Sequence, residues 1–391
     1  MSDFTAIVSG AGPAGLAAAI LLAQDGVKTA LIGPPAAEDL RTTALMQPSI
    51  QLLKFIGIWP GEIAEYSAPL KRLHIVDDTG NLVSAPKIEF VASELGMAEF
   101  GFNIPLSKLI PALQARAQTL GVHFIAEKSQ DARTQGDTIT VTTESGASIA
   151  GKVLLIADGS SSPLRKVLGF NIQTTKLDQM ALATTFEHSA SHNFISTEFH
   201  KEAGPFATVP LPGNRSGLVW MAKPARIEAM LKLSDKDLCT EIQLESHGFL
   251  GRVSNLGPRK GFPMQTQSAT VFAKSRAILI GEAAHALPPI GAQGLNLSLR
   301  DVATAADLII GASDPGSAAI ATEFDKQRHA DVAPRLAMTG LLNASLLSDL
   351  SVFHLARAAG LAAVAKIPPL RQLALRQGIG TATQLPFAMR G

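Results

Sequence analysis

Residues Ala277 to Asp301 read AILIGEAAHALPPIGAQGLNLSLRD. The run Ala277 to Ile280 is apolar and bounded by small and turn residues, the pattern of a short buried strand. Gly281, Pro288, Pro289, Gly291 and Gly294 then punctuate a loop. From Leu295 a helical pattern continues to about Ile310, where Gly311 closes it. Strand, glycine-rich loop and helix in that order aim free backbone N–H groups at one point, where the helix dipole also favours negative charge. Such a place suits a diphosphate or the electron-rich edge of a reduced cofactor ring. Two prolines and several glycines constrain this backbone more than a simple turn requires, so the loop is expected to bind something.

A second stretch of the same kind opens the chain. Thr5 to Val8 is a short apolar strand, followed by Gly10-Ala11-Gly12-Pro13-Ala14-Gly15. Pro13 fits the first turn of a helix, and Leu16, Ala19, Ile20 and Ala23 supply its apolar face up to Gly26. Val27 to Ile32 follows as a second strand. A bare GxGxxG is weak evidence, but between a strand and a helix it is a dinucleotide fingerprint. Gly10 permits the tight turn, Gly12 the approach of a diphosphate, and Gly15 the packing of helix on sheet. The acid expected at the end of the second strand, to hold the ribose hydroxyls, is absent. Gly33, Pro34 and Pro35 stand there, and Glu38 and Asp39 are the nearest acids that could reach back.

Lys152 to Ala157 reads as a third buried strand, ending in Asp158-Gly159-Ser160-Ser161-Ser162-Pro163-Leu164-Arg165. A carboxylate at such a strand end can hold a ribityl chain or diphosphate; it can equally cap a helix. Arg41, ahead of a loop and a helix running to Trp59, can pair with a phosphate or sit solvated on the surface. Segments 72–76 and 88–91 read as strands, Leu109 to Leu120 as a helix, Val122 to Ala126 as a strand, and Thr138 to Ile149 as a hairpin. Between Met180 and Met221 the texture becomes alternating and β-branched, the mark of antiparallel sheet. Ile227 to Leu250 is mostly helical. After Pro334 the chain is helical again, with Met338, Leu341, Leu342 and Leu346 expected to form one packing stripe.

Composition narrows the function. The chain has 391 residues, 46% apolar and 17% charged, as in a compact globular protein of two to three domains with a rather apolar surface. Lys and Arg total 34 against 33 Asp and Glu, so phosphate neutralisation gives no support for nucleic-acid binding. A single cysteine, Cys239, leaves no intrachain disulfide, and the histidines show no metal-ligand spacing. No secretory signal is recognisable before the first strand, and no uncharged stretch near the end is long enough to cross a bilayer. A cytoplasmic location is expected.

The strand ends near 10–15, 158–165 and 281–296 resemble, in order and spacing, the flavin motifs of the group A FAD-dependent aromatic hydroxylases. PPIGAQGLN is similar to para-hydroxybenzoate hydroxylase. RTTAL, GPFATVPLPGNRSGLVW, FDKQR at 324–328, TGLLN at 339–343, RQGIG and LPFAMRG resemble the ubiquinone-biosynthesis hydroxylases. The resemblance covers nearly the whole chain. It implies an α/β fold: a Rossmann-like FAD-binding domain with an inserted antiparallel-sheet substrate domain and a helical C-terminal segment. On this basis residues 1–72, 100–178 and 265–333 make the discontinuous FAD domain, 73–99 and 179–264 the substrate domain, and 334–391 the C-terminal segment.

The activity implied is FAD-dependent hydroxylation of a prenylated phenol, with NADH or NADPH as electron donor and O2 as oxygen source. The candidate cofactor-binding residues are then Gly10, Ala11, Gly12, Pro13, Ala14 and Gly15, with Arg41, Asp158 and Gly159. From the third motif come Gly281, Glu282, Pro289, Gly291, Gly294, Leu295 and Asn296. The amides of Leu295 and Asn296 are expected to stabilise negative charge on the reduced ring. This chain departs from the family in carrying Glu282 where most members have Asp, and Leu106-Ser107 where a long polar side chain is usual. Gly33 is the third departure. No second GxGxxG follows a strand, in keeping with a family that lacks a separate nicotinamide domain. No general base is singled out, and a structural role is expected for His285. Association with a membrane surface or a quinone-biosynthesis complex is the expected setting. The rival expectations are a flavin reductase or oxidase acting on a prenyl chain, and a non-catalytic accessory member of such a complex.

Overall fold

The computed structural model describes residues 3–35, 38–80, 86–274, 276–347 and 351–391. An eight-stranded sheet is its first layer, with the order Ala273–Lys274, Ala277–Leu279, Ser148–Ile156, Phe4–Ser9, Thr29–Ile32 and His123–Ile125 along the main path. From Ala277–Leu279 to His123–Ile125 the pairing is parallel, with Ser9 opposite Ile156 and Ile156 opposite Leu279. Strands covered on both faces read as continuous apolar runs, as Ala6-Ile7-Val8 and Val153-Leu154-Leu155-Ile156 do; all are buried. The helix α1 (Pro13–Gln24) is buried from Gly15 to Leu22 on every side, because it lies between this sheet and other helices.

Ser148–Ile156 differs from expectation. A hairpin arm and a separate strand were anticipated, but one strand of 9 residues serves both purposes. Its first half pairs antiparallel with Thr138–Thr143 and its second half parallel with Phe4–Ser9. Gly151, which looks like a break in sequence, is paired on both sides, with Ile139 and Phe4. A Cβ there would lie 2.8 Å from Ile7 Cγ1, so the glycine serves packing and not a turn.

Residues expected to be loop after Arg41 also form a strand, Thr42–Met46, paired antiparallel with Gly101–Pro105. It leads into α2 (Gln47–Phe55), while Gly101–Pro105 leads into α3 (Leu106–Thr119). The short α4 (Pro163–Val167) follows the Asp158 turn.

The second layer is a nine-stranded sheet built mainly on the 17-residue strand Ile172–His188, its partners Arg215–Ala222 and Lys260–Ala269, and Gly204–Leu211 beyond Arg215–Ala222. Its outer face packs Leu182, Phe186, Phe199, Phe206, Leu218 and Trp220 beneath α5 (Pro224–Leu231) and α6 (Asp235–Glu245). Its inner face carries Ala181, Val219 and Met221, which meet Ile290 of the glycine-rich loop and Leu342.

The C-terminal part is helical: α7 (Gln293–Ile309), α8 (Ala318–Leu347), α9 (Ser351–Lys366) and α10 (Pro368–Ile379). Pro334 lies inside α8. The expected stripe is split, since Met338 and Leu341 are 62% and 71% exposed whereas Leu346 is buried. The inward face of α8 is mixed, with Arg335, Thr339 and Asn343 buried as well as Leu346. Their partners come from distant segments: Arg335 from Gln293, and Asn343 from Gln179. Among the described residues no helix is long and apolar enough to cross a membrane.

Candidate functional site

Parallel pairing brings the C-terminal ends of three strands to one edge of the first sheet, so Gly10, Asp158 and Gly281 become neighbours. Two glycines there are set by close packing. A Cβ on Gly10 would sit 2.2 Å from the Ala157 carbonyl oxygen, and one on Gly15 would sit 1.8 Å from that of Gly10. Gly12, Gly159 and Gly294 are different, since a Cβ on any of them would meet nothing within 4 Å. Each of these three borders open space. Helix α1 has no side-chain cap at Gly12, and Pro13 has no N–H to satisfy.

Asp158 points to what fills that space. The residue is half-buried, yet both its carboxylate oxygens are shielded from solvent and have no hydrogen-bond partner. Burial pushes its pKa up, against the pull of Ser162, nearby amides and the Arg165 charge. The Ser162 hydroxyl and the amides lie near it but none completes a hydrogen bond; a desolvated carboxylate left so is costly, and buried polar groups nearly always have partners. Hydroxyl donors such as those of a ribityl chain or ribose would complete it, so the residues present fit an FAD. Asp158 does not cap the following helix: Ser162 does, accepting from the Arg165 N–H at 3.0 Å. The Arg165 guanidinium donates to the Ala283 and Ser160 carbonyls at 2.9 and 2.7 Å, and so ties the second motif to the third.

Gly281, at φ +62°, donates its N–H to Asp301 Oδ2 at 2.8 Å. The same oxygen pairs with His285 Nε2 at 2.7 Å, and Asp301 Oδ1 accepts from Arg328 Nε at 2.7 Å. Asp331 then joins Arg328, Arg300 and Arg335 at 3.0, 3.0 and 3.2 Å. All of these side chains are buried. Burial alone would raise the Asp331 carboxyl, but Arg328, Arg335 and Arg300 together hold it below the usual carboxylate range. Arg300 is brought down to about 10 by burial, only partly offset by Asp331. His285 is thus a structural member of this network, as expected. The network itself was not foreseen. Its one legible signal is the helical spacing of Arg328, Asp331 and Arg335 on a single face of α8.

The remaining candidates fall in several places. The Asn296 side chain accepts from the Met46 N–H at 2.8 Å and the Ser49 hydroxyl at 2.7 Å. It also donates to the Ala44 and Ala292 carbonyls at 2.8 and 2.7 Å, locking the Thr42–Met46 strand to α7. Leu295 sits in the first turn of α7, which has no side-chain cap. Ile290, next to Pro289, packs on the second sheet, and the Gly291 N–H donates to Glu198 Oε2 of that sheet at 3.3 Å.

Glu282 is exposed, and Arg41 lies near enough for that carboxylate to help hold its guanidinium charged. The principal partner of Arg41 is Asp39, at 2.5 Å, and its guanidinium lies 5.1 Å from the Phe262 ring centroid. Asp39 is therefore engaged and does not reach back to Gly33, while Glu38 is exposed. Gly33 itself excludes an acid: a Cβ there would meet the Ala11 amide nitrogen at 2.7 Å. Leu106 is buried at the start of α3 and donates its N–H to the Arg41 carbonyl at 2.9 Å.

A family model described as FAD binding domain matches residues 3–336. The chain is 30% identical over 401 residues to the ubiquinone hydroxylase UbiL of Rhodospirillum rubrum, covering 98% of this chain and 92% of that one. It is 27% identical to the 3-demethoxyubiquinol 3-hydroxylase of Escherichia coli, covering 95% and 97%. Among solved structures, p-nitrophenol 4-monooxygenase from Pseudomonas putida superposes with a TM-score of 0.77 at 17% identity, covering 98% of this chain and 100% of that one. Klebsiella pneumoniae HpxO, solved with FAD and uric acid, gives 0.75 at 18% identity, covering 97% and 96%.

Proposed function

The chain belongs to the FAD-binding-domain family that includes the ubiquinone hydroxylases, and from that membership we propose that it hydroxylates the ring of a prenylated phenol on the way to ubiquinone. It is an FAD-dependent monooxygenase, with NADH or NADPH as donor. When bound, FAD carries electrons from the nicotinamide to O2, one atom of which ends on the substrate. The protein's part is to hold, orient and keep water out.

The observation that carries the site is the pair of unpartnered Asp158 oxygens beside the open faces of Gly12 and Gly159. In this reading Asp158 accepts from ribityl or ribose hydroxyls, and the Gly10–Gly15 loop with the start of α1 cradles the diphosphate. Gly281 and Glu282 flank the ribityl region, with Arg41 near Glu282. Pro289, Gly291, Gly294, Leu295 and Asn296 border the ring, and the free amides at the start of α7 favour negative charge on it. The buried Asp301 network braces this loop from behind.

The exposed apolar side chains of α8 and α10, Met338, Leu341, Leu370 and Leu373, support work at a membrane surface or within a complex beside one. The test of function is incubation of the FAD-loaded protein with NAD(P)H and a prenylated phenol, read by product mass. Gain of one oxygen on the ring is expected. A product with a saturated or dehydrogenated chain and no added oxygen would replace hydroxylation with reductase or oxidase chemistry.

A further inference from the structure

On the inner face of the second sheet, beside the glycine-rich loop, stands a buried histidine that the flavin motifs do not use. His200 lies on the strand Ile195–Lys201 and is 1% exposed. Its Nε2 pairs with Glu198 Oε1 at 2.9 Å. The other oxygen of Glu198 accepts the Gly291 N–H at 3.3 Å, so the pair is tied to the loop that borders the reacting ring. Glu198 and His200 are two residues apart and share a face, while Phe199 between them packs outward under α6. A carboxylate on Nε2–H leaves Nδ1 as a free acceptor, and Nδ1 is buried without a partner.

A second unpartnered acceptor lies on the same side. Asn343 of α8 is buried and donates to Gln179 Oε1 at 2.9 Å, and its own Oδ1 has no partner. The Gln179 amide sits against Gly204, next to Pro205, the cross-strand partner of His200. On this inner face Ala181, Val219, Met221, Met264, Ile290 and Leu342 form an apolar cluster. An apolar face with two acceptors lacking a donor suits a ligand that is an aromatic ring bearing an O–H.

We propose that His200, oriented by Glu198, is the catalytic base that takes the phenolic proton of the substrate. The inference rests on the hydroxylase reading above. The phenol O–H bond breaks, its proton goes to Nδ1, and the electron pair stays on oxygen and enriches the ring for oxygen transfer. Glu198 balances the imidazolium and keeps Nε2–H in place. The proton returns to the phenolic oxygen of the product before release. Asn343 is a second acceptor that helps to place the hydroxyl. Asp77, beside His200 on the neighbouring strand, and Glu198 are the carboxylates around it; Lys201 is directed to Asp78 instead.

The probe is a 2-prenylphenol in detergent micelles, added to FAD-loaded protein at neutral pH. A free phenol titrates at about 10 and is uncharged at neutral pH, so a phenolate band in the difference spectrum reports proton removal by the site. Wild type is expected to give that band. His200→Gln should lose it, with kcat down about a hundred-fold or more while KM and FAD content hold. Glu198→Gln keeps an acceptor for Gly291 but not the charge, and should weaken both band and kcat; it carries the test if His200→Gln fails to retain FAD. A wild type that binds the probe as neutral phenol, or variants with full band and full kcat, would overturn the assignment. Absence of any hydroxylated product from wild type would instead sink the hydroxylase reading, with the phenolate band still judging His200.

Discussion

Asp301→Asn tests whether the buried network holds the cofactor loop. The asparagine oxygen can still accept from the Gly281 N–H and His285, which share one carboxylate oxygen in the native protein. Its NH2 then replaces the oxygen that faced Arg328 Nε at 2.7 Å, placing donor against donor. Arg328 keeps Asp331, yet the site retains three arginines against one carboxylate. Breaking a buried ion pair from one side costs roughly 3–5 kcal/mol, against a total stability of about 5–15 kcal/mol. Asp301→Asn should therefore lower the urea midpoint strongly and release FAD more readily, because the residue that anchors the Gly281 N–H is itself no longer held by Arg328. Arg328→Met in the same chain removes the opposed donor. The double variant should then be more stable than the two single effects predict, by about 1–3 kcal/mol. The assay is urea unfolding of all four proteins, followed by tryptophan fluorescence and by FAD release. Additivity within about 0.5 kcal/mol, or unchanged FAD release in Asp301→Asn, would refute the coupling.

Asp158→Asn should weaken FAD retention while stabilising the apoprotein. Because burial raises this carboxyl above its unfolded value of 3.8, the folded apoprotein holds the proton longer, and its stability falls as pH rises between the two values. Above both values the penalty is fully present, and the amide removes it; an apoprotein melting no higher than wild type there would contradict this. Gly33→Glu should lose FAD and stability instead of recovering a ribose contact, since its Cβ would press on the Ala11 amide. Better FAD retention on gel filtration would show that the loop yields. Met338→Glu with Leu341→Glu should abolish flotation with liposomes and slow turnover of a polyprenylated phenol, but leave a short-chain phenol in detergent unaffected. Equal flotation of variant and wild type would remove α8 from the membrane-facing side.

The three strand ends were legible from the chain alone because each couples an apolar run to glycines, a pattern set by local backbone needs. Gly15 shows why: the contact that forbids a side chain is with Gly10 itself, inside the turn the motif describes, whereas Gly10 is also confined by Ala157 at the end of the adjoining strand. Alternating texture between Met180 and Met221 announced the second sheet for the same local reason. Continuity of Ser148–Ile156 through Gly151 was hidden, because a glycine demanded by the Ile7 side chain across the sheet looks like one demanded by a turn. The α8 stripe was misjudged because helical spacing counts apolar residues but cannot tell which side has partners. Buried Arg335 and Asn343 take the inward face since Gln293 and Gln179 wait there, and Met338 and Leu341 are left outside. Asp301, His200 and Glu198 likewise acquire their roles only when distant segments meet. Hydrogen bonds and ion pairs depend on position to within an ångström, and that position is decided by the packed fold and not by neighbours along the chain.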